Sequence, residues 1–176
     1  LQSRDPPNPP DLRRGSRAPT VGGRGASRPG EPESPHREDV MTHHVDAMLK
    51  THPQGTGTID QAKLAACIEA CFECAQTCTA CADACLAEDM VADLRQCIRL
   101  NLDCADVCAA TGRMLSRQTG TNVETTRALL EACRAACKTC GDECESHAQM
   151  HEHCKVCAEA CRRCEQACAD LLVTLG

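Results

Sequence analysis

The cysteines of this chain recur at steps of three and four residues, which return to one face of an α-helix. Each run of such steps therefore predicts a helix that carries thiols where leucines usually form the core. Thiolates bind soft metal ions, form disulfides and act as redox nucleophiles, so the chemistry of the chain is expected on these faces. The chain has 176 residues and eighteen cysteines, in four runs: Cys67, Cys71, Cys74, Cys78, Cys81, Cys85; Cys97, Cys104, Cys108; Cys133, Cys137, Cys140, Cys144; and Cys154, Cys157, Cys161, Cys164, Cys168.

Cu(I) is the metal ion that this pattern favours. It is soft, prefers thiolates and accepts two or three of them, so thiolates four residues apart or on facing helices can share one ion. Buried thiolates need compensating charge, which monovalent ions at about one per thiolate supply and as many divalent ions would exceed. We therefore expect all of the cysteines to bind Cu(I), on the order of one ion per cysteine.

A zinc or iron–sulfur protein, and a thiol redox or disulfide scaffold, are the alternative interpretations. Zinc sites usually take four ligands from Cys-x-x-Cys turns, and the bacterial cluster motif ends in Cys-Pro. The cysteines of this chain follow helical spacing, and none precedes a proline. Helical cysteines four apart have Cβ atoms about 6 Å apart, too far for a disulfide, although pairs between helices remain open. No Cys-x-x-Cys pair is distinguished as a redox site and no di-iron carboxylate motif occurs, so we expect no enzyme.

Helical periodicity and capping residues predict four main helices and one short helix before them. The predicted caps are Thr58 with Gln61, Asp89, and Thr121 with Glu124. Four helices of similar length with short connections predict an all-α fold, an antiparallel up-down-up-down four-helix bundle with a cysteine-lined core. The bundle is expected over residues 41–176. The expected helices cover about residues 42–51, 58–87, 90–117, 121–149 and 151–174.

The two ends of this bundle are expected to differ in chemistry. Beyond the cysteines at one end, the stripe continues as Met90, His147 and His151, which are soft or borderline metal donors. We expect copper to pass this end on its way to the thiols. The other end is expected to be closed by leucines, namely Leu64, Leu115, Leu129 or Leu130, and Leu172.

Several polar residues lie near the thiol stripe without continuing it. Asn101 is in phase with the second run, and because a buried Asn needs hydrogen-bond partners we expect it to contact a histidine or water near the copper-access half. Thr111 is expected to bond to a backbone carbonyl. His153 is off phase relative to His151 and has less weight as a ligand. His44 and His52, with their neighbour at position 43, fall outside the four-helix pattern and are expected at the surface.

The cysteine runs resemble those of the bacterial copper storage proteins, which are four-helix bundles lined with thiols. The resemblance covers the chain from about residue 42 and rests on the Cys-x3-Cys-x2-Cys repeat between Cys67 and Cys85 and on the matching runs at 133–144 and 154–168. It implies a store of Cu(I). Two features make the chain similar to the cytosolic branch of that family. It shows no export signal, and it carries histidines near the expected bundle mouth.

The same resemblance implies a homotetramer. A set of apolar side chains lies about 100–140° around the helices from the thiol stripe, where they would fill helix–helix seams or a subunit interface. We favour the seams. These side chains are Ile68, Phe72, Ile98 and Leu102.

Composition separates residues 1–40 from the rest of the chain. They hold eight of the nine prolines and no cysteine, which predicts a disordered Pro/Arg/Gly-rich extension. They contain no apolar stretch typical of an export signal, so we expect a cytoplasmic protein with reduced thiols. The net charge of −6 and the lack of a membrane-length apolar run predict no nucleic-acid or membrane partner. The expected partners are copper ions and a copper chaperone or small-thiol donor.

Overall fold

The computed structural model describes the backbone of residues 38–175 and the side chains from residue 44 onward. The extension predicted for residues 1–40 falls almost entirely outside this range. The described part of the chain is all helical, without a strand, as the sequence predicts. Its elements are α1 Glu38–Lys50, α2 Gln61–Leu86, α3 Arg95–Leu115, α4 Val123–His147 and α5 Glu152–Leu172, with a 3₁₀ turn over Val173–Leu175.

Helices α2 to α5 form the predicted four-helix bundle. Both α2 and α4 pack against α3 and α5, so helices that follow one another in sequence are also neighbours in space. Connections of a few residues, over 87–94, 116–122 and 148–151, join the helices. Short connections between adjacent helices give an up-down-up-down topology. Helix α1 packs against α2.

Two of the predicted helix caps are displaced by one or two residues. Asp60, rather than Thr58, precedes α2, and its carboxylate accepts a hydrogen bond from the amide three residues on at 3.0 Å. Asn122, rather than Thr121, precedes α4 and accepts from the corresponding amide at 2.8 Å. Each lies directly before the first helical turn, where its side-chain oxygen can reach a free amide, and the predicted threonines lie too far upstream.

The predicted start of α3 near residue 90 is wrong, and Asp89 does not cap it. Residues 87–94 form consecutive turns, in which the Asp93 amide donates to the Met90 carbonyl at 2.9 Å. Leu94 precedes the helix without a side-chain cap and is almost completely buried. Burial of this leucine beside the core accounts for the turns that replace the first part of the predicted helix.

The bundle is closed at one end by leucines, as expected. Leu64, Leu115 and Leu130 are buried there, at the end that the 116–122 connection shares with the start of α2. The fourth member of the set is Leu171, whereas the predicted Leu172 is only partly buried. The closed end therefore excludes water from the cysteines below it.

None of the described helices is long and apolar enough to cross a membrane.

The apolar residues beside the thiol stripe divide into two groups. Ile68 is buried in the core and Ile98 is partly buried against it, so both fill seams between helices. Phe72 and Leu102 are 40% and 47% exposed. The ring of Phe72 lies over Gly112 of α3, where a Cβ atom would be 3.1 Å from the ring. The predicted seams are thus found for Ile68, Ile98 and, through its contact with Gly112, for Phe72, which remains partly exposed.

Candidate metal centre

The thiol faces of the four bundle helices meet in one continuous sulfur column. All eighteen cysteines are buried and free. Neighbouring sulfurs are in van der Waals contact, for example Cys108 and Cys137 at 3.4 Å, Cys78 and Cys161 at 3.6 Å, and Cys78 and Cys140 at 4.0 Å. A disulfide has sulfurs about 2.0 Å apart, so these are separate thiols. The column places donor atoms close enough to share metal ions.

Groups of four sulfurs within 4.8 Å of one another recur along this column. The groups overlap, because several cysteines are corners of two groups at once. A sulfur shared in this way can bridge ions in successive groups. The groups include Cys71, Cys133, Cys164 and Cys168; Cys74, Cys108, Cys137 and Cys164; Cys74, Cys78, Cys104 and Cys161; and Cys78, Cys140, Cys157 and Cys161.

A histidine joins the column at the end opposite the leucines. His153 Nδ1 lies 3.4 Å from the Cys81 sulfur and 3.5 Å from the Cys154 sulfur. Together with Cys85, these residues form a further group of donors within 4.8 Å. The phase argument assigns His153 less weight as a ligand than His151, because His153 is off phase relative to it. However, His153 lies in the first turn of α5, where side chains tilt back toward the helix start and so toward the end of the column.

Glu88 connects this histidine to a second one. Its Oε1 atom lies 3.1 Å from His153 Nε2 and 3.0 Å from His151 Nδ1. These hydrogen bonds, first that of His153 and then that of His151, lower the pKa of Glu88. Burial lowers the pKa of His153, but hydrogen bonds to Cys81 and Glu88 outweigh it, so its pKa is raised. A carboxylate therefore orients two imidazoles at the rim of the column.

The remaining predicted donors at this end contact a carboxylate or are exposed. His147 Nε2 is 3.2 Å from Glu143 Oε1 on the same helix. Met90 lies on the 87–94 connection with 65% of its side chain exposed. Like His151, they have no sulfur among their hydrogen-bond partners in the described part of the chain. The metal-ligand roles of these three residues stay predictions.

Asn101 lies inside the sulfur column and is fully buried. Its amide nitrogen donates to the Cys97 carbonyl at 2.9 Å and lies 3.5 Å from the Cys144 sulfur. Its amide oxygen accepts from the Cys157 thiol at 2.9 Å and from the Cys140 thiol at 3.4 Å. Thiols thus take the place of the histidine or water that the sequence suggested.

Thr111, the other polar residue in phase with the thiols, satisfies its hydroxyl within its own helix. The hydroxyl donates to the Val107 carbonyl at 2.8 Å, as predicted. The hydroxyl proton is thus used within the helix. Thr111 therefore belongs to the packing of the column wall.

Thiol–thiol hydrogen bonds and burial shift the pKa values of the cysteines in opposite directions. Hydrogen bonds from Cys168 and Cys71 lower the pKa of Cys67 to about 5. Near the opposite end, burial raises the pKa of Cys85 to about 11. Thiols that accept hydrogen bonds are stabilised as thiolates, and those held by burial stay protonated. Metal ions that bind the whole column must therefore displace protons from it.

The sequence profile of the copper storage protein family matches residues 60–173, well over half of the chain. The chain belongs to this family. Copper storage is therefore its function. This agrees with the resemblance that the cysteine runs indicate. No curated protein matches the chain.

Solved structures of the family superpose on the bundle. The copper storage protein Ccsp from Streptomyces lividans, loaded with 10 copper equivalents, is 60% identical, with a TM-score of 0.72 over 73% of this chain and 98% of its own. A structure of copper loading to a cytosolic copper storage protein from Streptomyces lividans, with five coppers, is 64% identical, with a TM-score of 0.63 over 63% and 92%. A Cu(I)-bound copper storage protein is 38% identical, with a TM-score of 0.54 over 60% and 94%.

Proposed function

We propose that the chain stores and buffers Cu(I) in the cytosol through its eighteen core thiols. The observation that carries this proposal is the overlap of the sulfur groups, in which one sulfur belongs to two sets of donors. The capacity is on the order of one Cu(I) per cysteine. Relatives are described as loaded with 10 copper equivalents, as Cu(I)-bound and as cytosolic, which supports this proposal.

The charge and geometry of the column favour Cu(I) over zinc or an iron–sulfur cluster. Tetrahedral zinc sites use four ligands each and are closed, so they would not leave sulfurs shared along a column. A monovalent ion for each thiolate leaves the buried interior close to neutral, whereas the same number of divalent ions would bury a large positive charge. The sulfurs are also soft, and soft thiolates select Cu(I).

Copper reaches the column at the end that carries the histidines. It passes Met90, His147 and His151 at the rim and first meets the group formed by His153 with Cys81, Cys85 and Cys154. From there it moves inward along sulfurs that lie 3.4–4.0 Å apart. The support is geometric, since the opposite end is closed by leucines and His153 is within 3.5 Å of two sulfurs.

Storage, rather than catalysis, is the role that the thiols support. A thiol redox catalyst needs a low-pKa cysteine that a partner can reach, whereas every cysteine of this chain is buried. Exchange with a small thiol or a copper chaperone at the rim would supply the ions.

The exposed faces of Phe72 and Leu102 are the surfaces we assign to subunit contacts in a homotetramer.

An anaerobic Cu(I) titration of the reduced protein against a chromophoric chelator tests the storage proposal. Free thiols are counted first, and a parallel titration with Zn²⁺ provides the comparison. We expect eighteen free thiols and tight Cu(I) uptake on the order of one ion per thiol. Saturation after a few Cu(I) ions, or Zn²⁺ uptake at one ion per four thiols that Cu(I) does not displace, would contradict it.

The route past the rim is tested by the rate of loading. We expect the paired change His147→Ala with His151→Ala to slow Cu(I) transfer from a chelator while the final capacity changes little. The change His153→Ala is expected to slow loading and also to weaken the first ions bound, because His153 contacts two thiols. A normal rate with reduced capacity in the paired variant would place copper access elsewhere.

A further inference from the structure

Two hydrogen bonds at the end of the bundle that carries the histidines finish on one oxygen atom. Glu88 Oε1 lies 3.1 Å from His153 Nε2 and 3.0 Å from His151 Nδ1. The two histidines therefore present different ring nitrogens to the same carboxylate. Their ring centroids are 5.4 Å apart, so the carboxylate holds the rings as a pair. What each ring can offer to a metal ion depends on the nitrogen that does not face the carboxylate.

The carboxylate decides which nitrogen of each ring carries the proton. An ionised carboxylate can only accept hydrogen bonds, and a neutral imidazole has one N–H group and one nitrogen with a lone pair. The nitrogen that faces Glu88 is therefore the protonated one in each ring. This places the proton of His153 on Nε2 and that of His151 on Nδ1. The lone pairs are left on His153 Nδ1 and His151 Nε2, which are the ring atoms able to bind a metal ion.

The lone pair of His153 faces the sulfur column. His153 Nδ1 lies 3.4 Å from the Cys81 sulfur and 3.5 Å from the Cys154 sulfur, so a thiol can donate to it in the metal-free protein. When Cu(I) replaces the thiol proton, this nitrogen already has its lone pair directed toward the ion. The opposite tautomer would place an N–H group there, and copper could bind only after that proton had left.

Backbone hydrogen bonds hold the turns on both sides of this contact. The Glu88 amide donates to the Cys85 carbonyl at 3.4 Å, and the Glu88 carbonyl accepts from the Val91 amide at 3.2 Å. The His151 amide likewise donates to the His147 carbonyl at 3.0 Å. These bonds do not involve the Glu88 side chain. The carboxylate therefore orients the rings, whereas the turns are formed by the backbone itself.

We propose that Glu88 is a positioning residue for copper loading, which fixes the tautomers of His151 and His153 so that a lone pair of His153 faces the sulfurs. This role depends on the proposed copper store, because the rings matter for loading only if Cu(I) passes them. Glu88 itself does not bind the ion. Loss of a carboxylate that orients a metal-binding histidine typically costs about 10–100-fold in metal affinity or activity.

The first test reads the tautomer of each ring in the metal-free, reduced full chain. Long-range ¹H–¹⁵N NMR, at a pH at which both rings are neutral, distinguishes protonated from unprotonated ring nitrogens, and each ring is assigned by its loss in His151→Ala or His153→Ala. We expect a protonated Nε2 in His153 and a protonated Nδ1 in His151, which is the less common tautomer of free histidine. In Glu88→Ala both rings should become mixtures, with His151 moving toward the Nε2–H form.

The second test measures the rate of anaerobic Cu(I) transfer from a chromophoric chelator. We expect Glu88→Ala to load at least about tenfold more slowly, with an unchanged final capacity. Glu88→Gln keeps an oxygen that can accept both hydrogen bonds, so it should keep both tautomers and most of the loading rate. Asp89→Ala is the matched control, because it removes the same charge from the next residue, which is exposed. It should change neither the tautomers nor the rate.

A protonated Nε2 in His151 of the unchanged protein overturns the proposal, as do unaltered tautomers in Glu88→Ala. A loading rate that falls equally in Asp89→Ala, or in Glu88→Gln with intact tautomers, also overturns it, because charge at the rim would then set the rate. Circular dichroism checks that each variant keeps its helices. The tautomers are read without copper, so saturation of the unchanged protein after a few Cu(I) ions would contradict the storage proposal separately.

Discussion

At the scale of single residues, Asn101 shows how a polar side chain can organise a core of thiols. An asparagine amide offers donors at its nitrogen and an acceptor at its oxygen. Cysteines of two other helices, Cys140 and Cys144 of α4 and Cys157 of α5, lie around the two ends of this amide. A leucine at this position would leave those thiols without a strong hydrogen-bond partner. Asn101 therefore orients sulfurs of several helices at one level of the column.

Replacing this residue should destabilise the metal-free protein. We expect Asn101→Ala to lower the free energy of unfolding of the reduced apo form by about 1–3 kcal/mol, because buried polar groups lose their partners. Urea unfolding in the presence of a reductant, followed by circular dichroism, measures the change. Asp103→Ala is the control, since Asp103 is exposed on the same helix and should alter stability little. Equal effects of the two changes would show that the Asn101 hydrogen bonds carry no stability.

The Glu88–His153 contact predicts a measurable pH effect in the apo protein. The pKa of Glu88 is lowered from 4.5, so its contribution to stability is present above 4.5 and is lost as the pH falls through its folded pKa. The pKa of His153 is raised from 6.5, so its contribution is complete below 6.5 and is lost as the pH rises through its folded pKa. Both contributions to stability are therefore present together between pH 4.5 and pH 6.5.

Removal of the carboxylate should therefore change the titration of the histidine. In Glu88→Gln we expect the pKa of His153 to fall, because a neutral amide stabilises the imidazolium less than a carboxylate does. An NMR pH titration of the ring proton measures the pKa in both proteins. Glu143→Gln, which affects the carboxylate beside His147, serves as the control and should leave His153 unchanged. An unaltered His153 pKa in Glu88→Gln would exclude Glu88 as its partner.

At the scale of elements, cysteine phase predicts the four bundle helices and the face that each one buries. The phase argument succeeds because steps of three and four leave one helical face common to the whole run. It does not predict where the helices begin, because side-chain caps and one buried leucine determine those positions. The start of α3 moved to Arg95 because Leu94 is buried, and phase carries no information about such a contact. The phase argument also assigned too little weight to His153 as a ligand, because the position of its side chain depends on where α5 begins.

An arginine that the phase argument does not single out also joins α4 and α5. Arg162 of α5 pairs with Asp142 at 2.5 Å and with Glu145 at 2.9 Å, both on α4. Its guanidinium approaches Gly141, where a Cβ atom would lie 3.1 Å from the Arg162 Nη1 atom. The absence of a side chain at residue 141 thus lets the arginine cross between the two helices.

Loss of this cross-helix network should weaken the bundle moderately. We expect Arg162→Ala to lower the free energy of unfolding of the apo protein by about 1 kcal/mol, since solvent screens the partly exposed pairs. Thermal unfolding at low and high salt measures the change, and the difference should shrink at high salt. Arg99→Ala removes a pair confined to α3 and should have a smaller effect. A larger loss in Arg99→Ala than in Arg162→Ala would contradict the cross-helix role.

At the scale of the whole molecule, the core combines small side chains with weak thiol contacts. The largest fully buried apolar side chains lie toward the two ends of the bundle, and between them the interior is sulfur. Free cysteine packs as a small apolar residue, so the apo bundle can fold with its thiols protonated. Copper ions would replace thiol contacts by bonds that cross between helices. Metal binding and bundle stability are therefore expected to be linked.

Copper loading should therefore raise the unfolding temperature, and its removal by a strong chelator should reverse the rise. A 1,000-fold excess of free ligand over the dissociation constant stabilises by about 4 kcal/mol, which corresponds to roughly 8–16 °C for a chain of this size. Calorimetry of apo, loaded and stripped protein measures the shift. In Cys78→Ser with Cys161→Ser, two sulfurs that each belong to two groups are lost, so both capacity and shift should fall while the apo helices persist. If the variant retains the full shift in unfolding temperature, the stabilising ions do not lie at the centre of the column. If its apo form loses its helices, these two thiols support the fold as well as the store.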